Sequence, residues 1–351
     1  MLWNNIHPKF RFNGKSFSKE ELIVLGNSLV TSNLEFEKEC GSFLLHWLDV
    51  NDFVTVQTSG TTGKPKQIKI TKQAMVNSAI ATGTFLKLKE GDFALCCLPV
   101  KYIAGKMMLV RAMVLGLELD MVEAKSNPLE NNSKSYDFVA MVPLQVENSI
   151  EKLNQISKLL IGGAKVNQEL ETKILSSECE AYESYSMTET VTHVALKRIG
   201  AKTFKTLPNV TVDVDQRNCL VIEAPLLNSA TIITNDLVEL VTKTEFSWIG
   251  RVDNVVNSGG VKLFPEQIEE KLQYYFNQRF FVGGILDKLL GEKLVLVVEG
   301  NEKPIDLSIF TSLNKFEKPK GIYFLSEFLE TETGKIKRKE ILKSLQTKNP
   351  A

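Results

Sequence analysis

Apolar positions recur at three- and four-residue intervals in "SKEELIVLGNSLV" and "NLEFEKECGSFLLHWL", which predicts an α-rich lead-in over residues 1 to about 50. After Val54 short apolar runs ("DFALCCLPV", "LGLELDMVE", "YDFVAMVP", "SKLLIGG") alternate with helical patterns ("KQAMVNSAIATGTFLKL", "QELETKIL"). Such alternation predicts a largely parallel sheet flanked by helices. From about Asn209 the strand candidates "VTVDVDQRNCLVIEAP" and "ATIITNDLVELVT" follow one another closely, as in an antiparallel module. Beyond "WIGRVDNVVNSGGVKLF" the pattern predicts a helix ("PEQIEEKLQYYF"), two strands ("FFVGGIL", "KLVLVVEG"), a second helix ("DLSIFTSLNKF") and a basic tail. This is the outline of a small α+β domain.

A chain of 351 residues exceeds what one core usually supports, which agrees with a large and a small domain. Hydrophobic residues at 43% and charged residues at 24% are those of a globular protein. Lys plus Arg equal Asp plus Glu at 42 each, so no global field draws the chain to nucleic acid or an anionic membrane, and any anion site is local. Five cysteines without a CxxC pair read as reduced core residues, and His7, His46 and His193 lack the spacing of a metal site. No basic region precedes an apolar segment at the N-terminus and no run is long enough to span a bilayer, which predicts a cytoplasmic protein. Nothing in the pattern marks an oligomer interface; a homodimer stays open.

The candidate chemistry begins at "VTVQTSGTTGKPKQIKIT". A Walker loop needs four residues between its glycines, whereas Gly60 and Gly63 are separated by two and Lys64 is followed by Pro65, which excludes the kinase and GTPase reading. The ingredients of a phosphate cradle remain: hydroxyls of Thr58, Ser59, Thr61 and Thr62, close backbone approach at Gly60 and Gly63, and charge on Lys64 and Lys66. A hairpin tip would suit the same composition.

The full string T-S-G-T-T-G-x-P-K resembles the signature of the adenylate-forming superfamily, which includes acyl- and aryl-CoA synthetases, luciferases and adenylation domains. The family's other motifs follow in order. "LLIGGAKV" is similar to the turn against the adenine, with Gly162, Gly163 and Ala164. "YESYSMTET" resembles Y-G-M-T-E, with Tyr185, Met187, Thr188 and Glu189, and Ser186 where glycine is usual. "TIITNDLVEL" resembles the T-G-D region, with Asn235 for glycine and Asp236 as the carboxylate. "WIGRVDNVVNSGG" and "TETGKIKRKEIL" resemble the G-R-x-D hinge and the C-terminal lysine motif. Ser186 and Asn235 are expected at turns, where asparagine tolerates positive φ.

The resemblance implies an α/β adenylate-forming fold. It comprises a large N-terminal α/β domain over residues 1–250, shortened at its N-terminus and carrying a β-rich module, a hinge at 251–254, and a small mobile C-terminal α+β domain over 255–351. It also implies the reaction: a carboxylic acid attacks the α-phosphate of ATP, giving an acyl adenylate and pyrophosphate, and a thiol, commonly that of CoA, displaces AMP. Two anions must meet, so positioning and charge neutralisation should dominate catalysis. By the same resemblance residues 58–66 hold the β- and γ-phosphates, Thr188 an α-phosphate oxygen and Glu189 the Mg²⁺ ion. Asp236 takes the ribose hydroxyls, Arg251 adds a ribose or phosphate contact, and Asp253 is the hinge. Ser258, Gly259 and Gly260 meet the pantetheine of CoA, and Lys335 bridges the attacking carboxylate and the α-phosphate. The alternatives are plain: Glu189 as a cap on a following helix "TVTHVALKR", Asp236 as a turn residue, and Lys335 in a solvated basic tail beside Lys337, Arg338 and Lys339.

Among compact members, "LPVKYIAGKMMLVRAMVLG" and "SYSMTETVTHVALKR" resemble the o-succinylbenzoate:CoA ligase branch of menaquinone biosynthesis. An aromatic dicarboxylate then needs a partner for the carboxylate that does not react, for which Tyr102, Lys106, Thr192 and His193 are candidates. Lys106 and His193 could equally be surface or packing residues. Another small acyl- or aryl-CoA ligase, an adenylation domain loading a carrier protein, and a non-catalytic nucleotide-binding relative remain as rivals.

Overall fold

The computed structural model describes residues 2–57, 67–330 and 336–348. The phosphate-loop candidates Thr58, Ser59, Gly60, Thr61, Thr62, Gly63, Lys64 and Lys66, together with Lys335, lie outside the described residues.

Two helices lead in. Ser18 starts Lys19–Leu29 with a reciprocal cap, its hydroxyl accepting from Glu21 N at 3.2 Å while Glu21 Oε2 accepts from Ser18 N at 2.7 Å. That helix crosses Glu35–Leu48 where a Cβ on Gly41 would lie 2.7 Å from Gly26 O, so glycine is what lets the backbones touch. Strands Phe53–Gln57 and Gln67–Thr71 then pair antiparallel, with Gln57 opposite Gln67. Gln57 and Gln67, the described residues on either side of 58–66, are therefore neighbours across a ladder. Thr71 caps the next helix, Lys72–Leu86, accepting from Ala74 N at 3.2 Å.

Among the described residues the main sheet has thirteen strands. Its parallel centre runs Glu118–Met121, Phe93–Cys96, Tyr136–Met141, Ile156–Ile161, Glu180–Ser186 in spatial order. Arg11–Phe12 and Lys15–Ser16 close one edge. On the other side the strands turn antiparallel: His193–Arg198, Phe204–Thr206, Glu245–Arg251, Asn228–Thr242, Cys219–Ala224 and Thr211–Val214. The antiparallel module of the sequence is thus an extension of the parallel sheet. Helices Lys72–Leu86 and Ile103–Leu115 pack on one face, joined in a core that includes Met75, Met107 and Leu109. All five cysteines are buried and free.

A second sheet of five strands follows: Val256–Ser258, Val261–Leu263, Phe280–Asp287, Gly291–Glu299 and Gly321–Leu325. Its long strands alternate: Leu294, Leu296 and Val298 face helix Pro265–Leu272 through Ile268 and Leu272, while Val295 and Val297 face helix Arg338–Lys348 through Ile341 and Leu345.

Four sequence expectations change. "TVTHVALKR" forms the strand His193–Arg198, which pairs with Glu180–Ser186, so Glu189 caps no following helix. "DLSIFTSLNKF" yields only the 3₁₀ turn Leu307–Ser312. Asp306 accepts from Ser308 N at 2.9 Å and Asn314 from Phe316 N and Glu317 N at 3.0 Å each, local bonds that compete with a longer helix. The basic tail is a docked helix in which Arg338 pairs with Glu269. Finally, Ser186 and Asn235 lie in strands rather than turns, and neither has positive φ, so both departures from glycine are free of backbone strain.

Candidate active site

Several candidate residues share one edge of the sheet. Tyr102 lies in the connection after Phe93–Cys96, Gly162 to Ala164 follow Ile156–Ile161, and Met187 to Glu189 follow Glu180–Ser186. These are carboxyl ends of parallel strands, where open α/β sheets form their crevices. Gly163 adopts φ +88°, and a Cβ on Gly162 would lie 2.8 Å from Ser184 Oγ, so the glycine turn sits tightly against the strand that carries Tyr185.

Asp236 is delivered by a bulge. Between Cys219–Ala224 and Asn228–Thr242 the register passes from Val221 opposite Ile233 to Cys219 opposite Leu237, so residues 234–236 bulge opposite Leu220 in that ladder, while Asp236 stays paired with Arg251 on the other side. Thr234 Oγ1 accepts from Asp236 N at 3.1 Å and holds the bulge closed. The Asp236 carboxylate accepts from Tyr185 OH at 2.7 Å and Trp248 Nε1 at 3.3 Å, and Arg251 Nη1 stands 3.5 Å away. Tyr185 is fixed edge-on to Phe204 and Phe246, at 5.9 and 5.4 Å between ring centroids. Burial and the Asp236 charge push its hydroxyl far above the usual tyrosine range, which keeps it a donor. Arg251 also donates to Asp253 Oδ2 at 2.9 Å, so Tyr185, Asp236, Arg251 and Asp253 form one cluster.

Thr188 and Glu189 occupy the 3₁₀ turn Thr188–Thr190. The turn ends at Val191 with φ +67° and ψ −56°, and Thr192 N donates to Thr190 O at 2.7 Å across it. This is a γ-turn of the unfavourable hand on a β-branched residue, a conformation that costs about 1–3 kcal/mol and persists where surroundings impose it. Asn228 Nδ2 donates to Glu189 O at 3.1 Å, tying the turn to the strand that carries Asp236. The Glu189 side chain is exposed. Among the described residues no group of three or more His, Cys, Asp or Glu could hold a metal. A lone hard oxygen donor does suit Mg²⁺, which keeps several waters and takes further oxygens from phosphates.

The pocket candidates separate. Tyr102 is 47% exposed at the start of helix Ile103–Leu115. Lys106 donates to Val100 O and Lys101 O at 2.6 Å each, and burial lowers its pKa to about 8. Its ammonium is largely committed to backbone carbonyls. His193 is buried, with Nε2 3.0 Å from Thr82 Oγ1 and Nδ1 3.4 Å from Thr192 Oγ1. Because Thr82 donates its own hydrogen to Ser78 O at 2.9 Å, the ring donates from Nε2 and accepts at Nδ1. Burial, with the Arg111 guanidinium nearby, holds its pKa well below the ordinary range, so His193 is a neutral partner of two threonines rather than a cation.

The pattern reading missed Arg111. It is 2% exposed, its Nη1 lies 3.8 Å from Met108 Sδ, and its Nε has no hydrogen-bond partner among the described residues. The signal was one arginine inside the otherwise apolar "MMLVRAMVL". Trp248 and Arg217, which frame Asp236 and its bulge, were also missed; only the register shows them.

Ser258, Gly259 and Gly260 make the tight turn between Val256–Ser258 and Val261–Leu263, with φ +56° at Gly259 and +82° at Gly260, the pair of positive values that a two-residue hairpin requires. Asp253 lies in the 3₁₀ turn Val252–Asn254 that links the two sheets.

The sequence profile of the AMP-binding enzymes matches residues 27–221, more than half of the chain and most of the main sheet. The chain belongs to the AMP-binding enzyme family. It is an adenylate-forming ligase. A 2-succinylbenzoate–CoA ligase of Lactococcus lactis is 26% identical over 317 residues, covering 82% of this chain and 70% of its own. A solved acyl-CoA synthetase (AMP-forming)/AMP-acid ligase II-like protein of Dyadobacter fermentans is 39% identical, covers 92% of this chain and 98% of its own, and superposes with a TM-score of 0.62. An o-succinylbenzoate CoA synthetase of Bacillus subtilis, solved with ATP and magnesium, reaches a TM-score of 0.74 at 19% identity, a likeness of fold that covers 92% of this chain and 82% of that one. Among the described residues no helix of this AMP-binding enzyme is long and apolar enough to cross a membrane.

Proposed function

We propose that this enzyme activates o-succinylbenzoate with ATP and Mg²⁺ and transfers the acyl group to CoA. The carboxylate oxygen attacks the α-phosphorus and pyrophosphate leaves; the CoA thiolate then attacks the acyl carbon and AMP leaves with the oxygen. The observation that carries the dicarboxylate part is Arg111. Among the described residues this buried guanidinium has no carboxylate partner, which is costly, and a substrate carrying a second, non-reacting carboxylate would supply the missing charge. The name of the Lactococcus lactis relative supports the same substrate.

In this reading residues 58–66 cradle the departing pyrophosphate and Thr188 contacts the α-phosphate. Glu189 holds Mg²⁺, which supplies charge neutralisation between carboxylate and triphosphate when bound. Gly162, Gly163, Ala164, Tyr185, Ser186 and Met187 frame the adenine side, Asp236 accepts the ribose hydroxyls, and Arg251 contacts ribose or phosphate. Tyr102 and Thr192 line the acid pocket, with neutral His193 fixing the Thr192 hydroxyl; Lys106 supports the loop above. Residues 1–250 act as one domain and 255–351 as another, turning about Asp253. One orientation brings Lys335 to the carboxylate, and the other brings Ser258, Gly259 and Gly260 to pantetheine.

A second reading, a CoA ligase for a different small acid, is favoured by the Dyadobacter fermentans protein, which is more similar and carries only the general acyl-CoA synthetase name. A screen of pyrophosphate release over aromatic and aliphatic acids, with and without CoA, separates them. The proposal expects o-succinylbenzoate to give the highest kcat/KM; a monocarboxylate in that place selects the second reading, and no release with any acid defeats both.

A further inference from the structure

Asn235 stands where the family resemblance gives glycine, and its side chain is engaged. Nδ2 donates to Asp253 Oδ2 at 3.3 Å, and Oδ1 accepts from Arg217 Nη1 at 3.0 Å. Arg217 is itself oriented by Asp215, with Nε 2.8 Å and Nη2 2.7 Å from Oδ2, and it reaches Thr234 O at 3.1 Å. A line of side-chain bonds therefore runs from the turn before Cys219–Ala224, through the bulge that presents Asp236, to the short turn joining the two sheets. Glycine has no side-chain atoms with which to make the last link. The backbone does not call for asparagine either, since residue 235 lies in a strand at negative φ.

We infer that Asn235 is a positioning residue that latches Asp253 to the nucleotide-binding bulge and so favours the present setting of the hinge over the second one. The inference rests on the two-step, two-orientation reaction proposed above. Through this one side chain the bulge is tied to the turn that joins the two sheets, which places the balance between the half-reactions partly under the control of one residue. Arg251 shares the same Asp253 oxygen at 2.9 Å, so the latch is graded rather than absolute.

The test compares wild type, Asn235→Gly and Asn235→Asp, the last opposing the Asp253 carboxylate with a like charge. Adenylate formation and thioester formation from supplied o-succinylbenzoyl adenylate are measured separately. The ratio of the two rates should shift about three- to tenfold in both variants, the range one exposed hydrogen bond supplies. The KM for ATP should stay within about twofold. A readout without turnover is limited proteolysis: cleavage within residues 251–254 should rise at least about threefold at unchanged Tm, on the same reasoning. An unchanged ratio, or both rates falling together as the ATP KM rises, overturns the inference, as does unchanged cleavage. Loss of both half-reactions already in wild type would strike at the proposed function, and the proteolysis result would still decide the latch.

Discussion

Arg111 sits in the interior of helix Ile103–Leu115, where among the described residues a sulfur atom is the partner of one nitrogen and Nε has none. Replacing even a buried ion pair by well-packed apolar side chains is often neutral or stabilising, by about 1–4 kcal/mol, and a charge without a partner has less to lose. Arg111→Met should therefore leave the Tm unchanged or raised, while the KM for o-succinylbenzoate rises at least about tenfold, as expected for a lost charged contact. An analogue without the second carboxylate should not feel the change. A variant that unfolds, or that loses both acids equally, would show that Arg111 only packs.

His193 makes a separate prediction about pH. Its pKa is depressed in the folded protein, so the unfolded chain binds more protons below about pH 6.5. The stability tied to neutral His193 is then fully present above that pH and is lost as pH falls, at up to about 1.4 kcal/mol per pH unit. Denaturant unfolding at pH 7.5 and 5.5 should show this slope in wild type and a smaller one in His193→Gln. At this scale the sequence was legible where a motif names a residue, as at Tyr185 and Asp236, and illegible where a partner comes from another strand. Trp248 reaches Asp236 only because of a register shift, which has no signature in a local pattern.

Elements buried on one face were read well from periodicity, including both N-terminal helices and the alternating strands of the second sheet. The strand His193–Arg198 was missed because residues 193–196 are all buried, so it lacks the alternation that distinguishes a strand. Helix Arg338–Lys348 is not legible because Ile341 and Leu345, its buried residues, are too few within a charged run to set up a helical period. This helix makes its own prediction. Arg338 grips Glu269 with two bonds of 2.7 and 2.9 Å, and the same carboxylate accepts from Val282 N at 2.8 Å. Arg338→Ala strands a poorly solvated carboxylate and should cost about 3–5 kcal/mol in denaturant unfolding, with partial recovery in Arg338→Lys. A loss under about 1 kcal/mol would mean that the pair behaves as a surface salt bridge.

For the whole molecule, the order of motifs was the strongest signal; the glycine-turn and Y-S-M-T-E motifs each mark the end of a strand, and those two strands are neighbours in one sheet. The acid specificity was the weakest, since it depends on which side chains line a pocket made by separate elements. The two-part architecture ties these together: the proposed adenine and ribose contacts, Gly162 to Ala164, Tyr185 and Asp236, gather on the main sheet, and the proposed pantetheine contacts, Ser258, Gly259 and Gly260, lie in the second. The most direct measurement of the central claim is a product balance with ATP, Mg²⁺, o-succinylbenzoate and CoA, resolved by chromatography and mass spectrometry. The account predicts equimolar AMP, pyrophosphate and o-succinylbenzoyl-CoA, and no thioester without ATP. ADP with phosphate, or ATP bound and recovered unchanged, would contradict it.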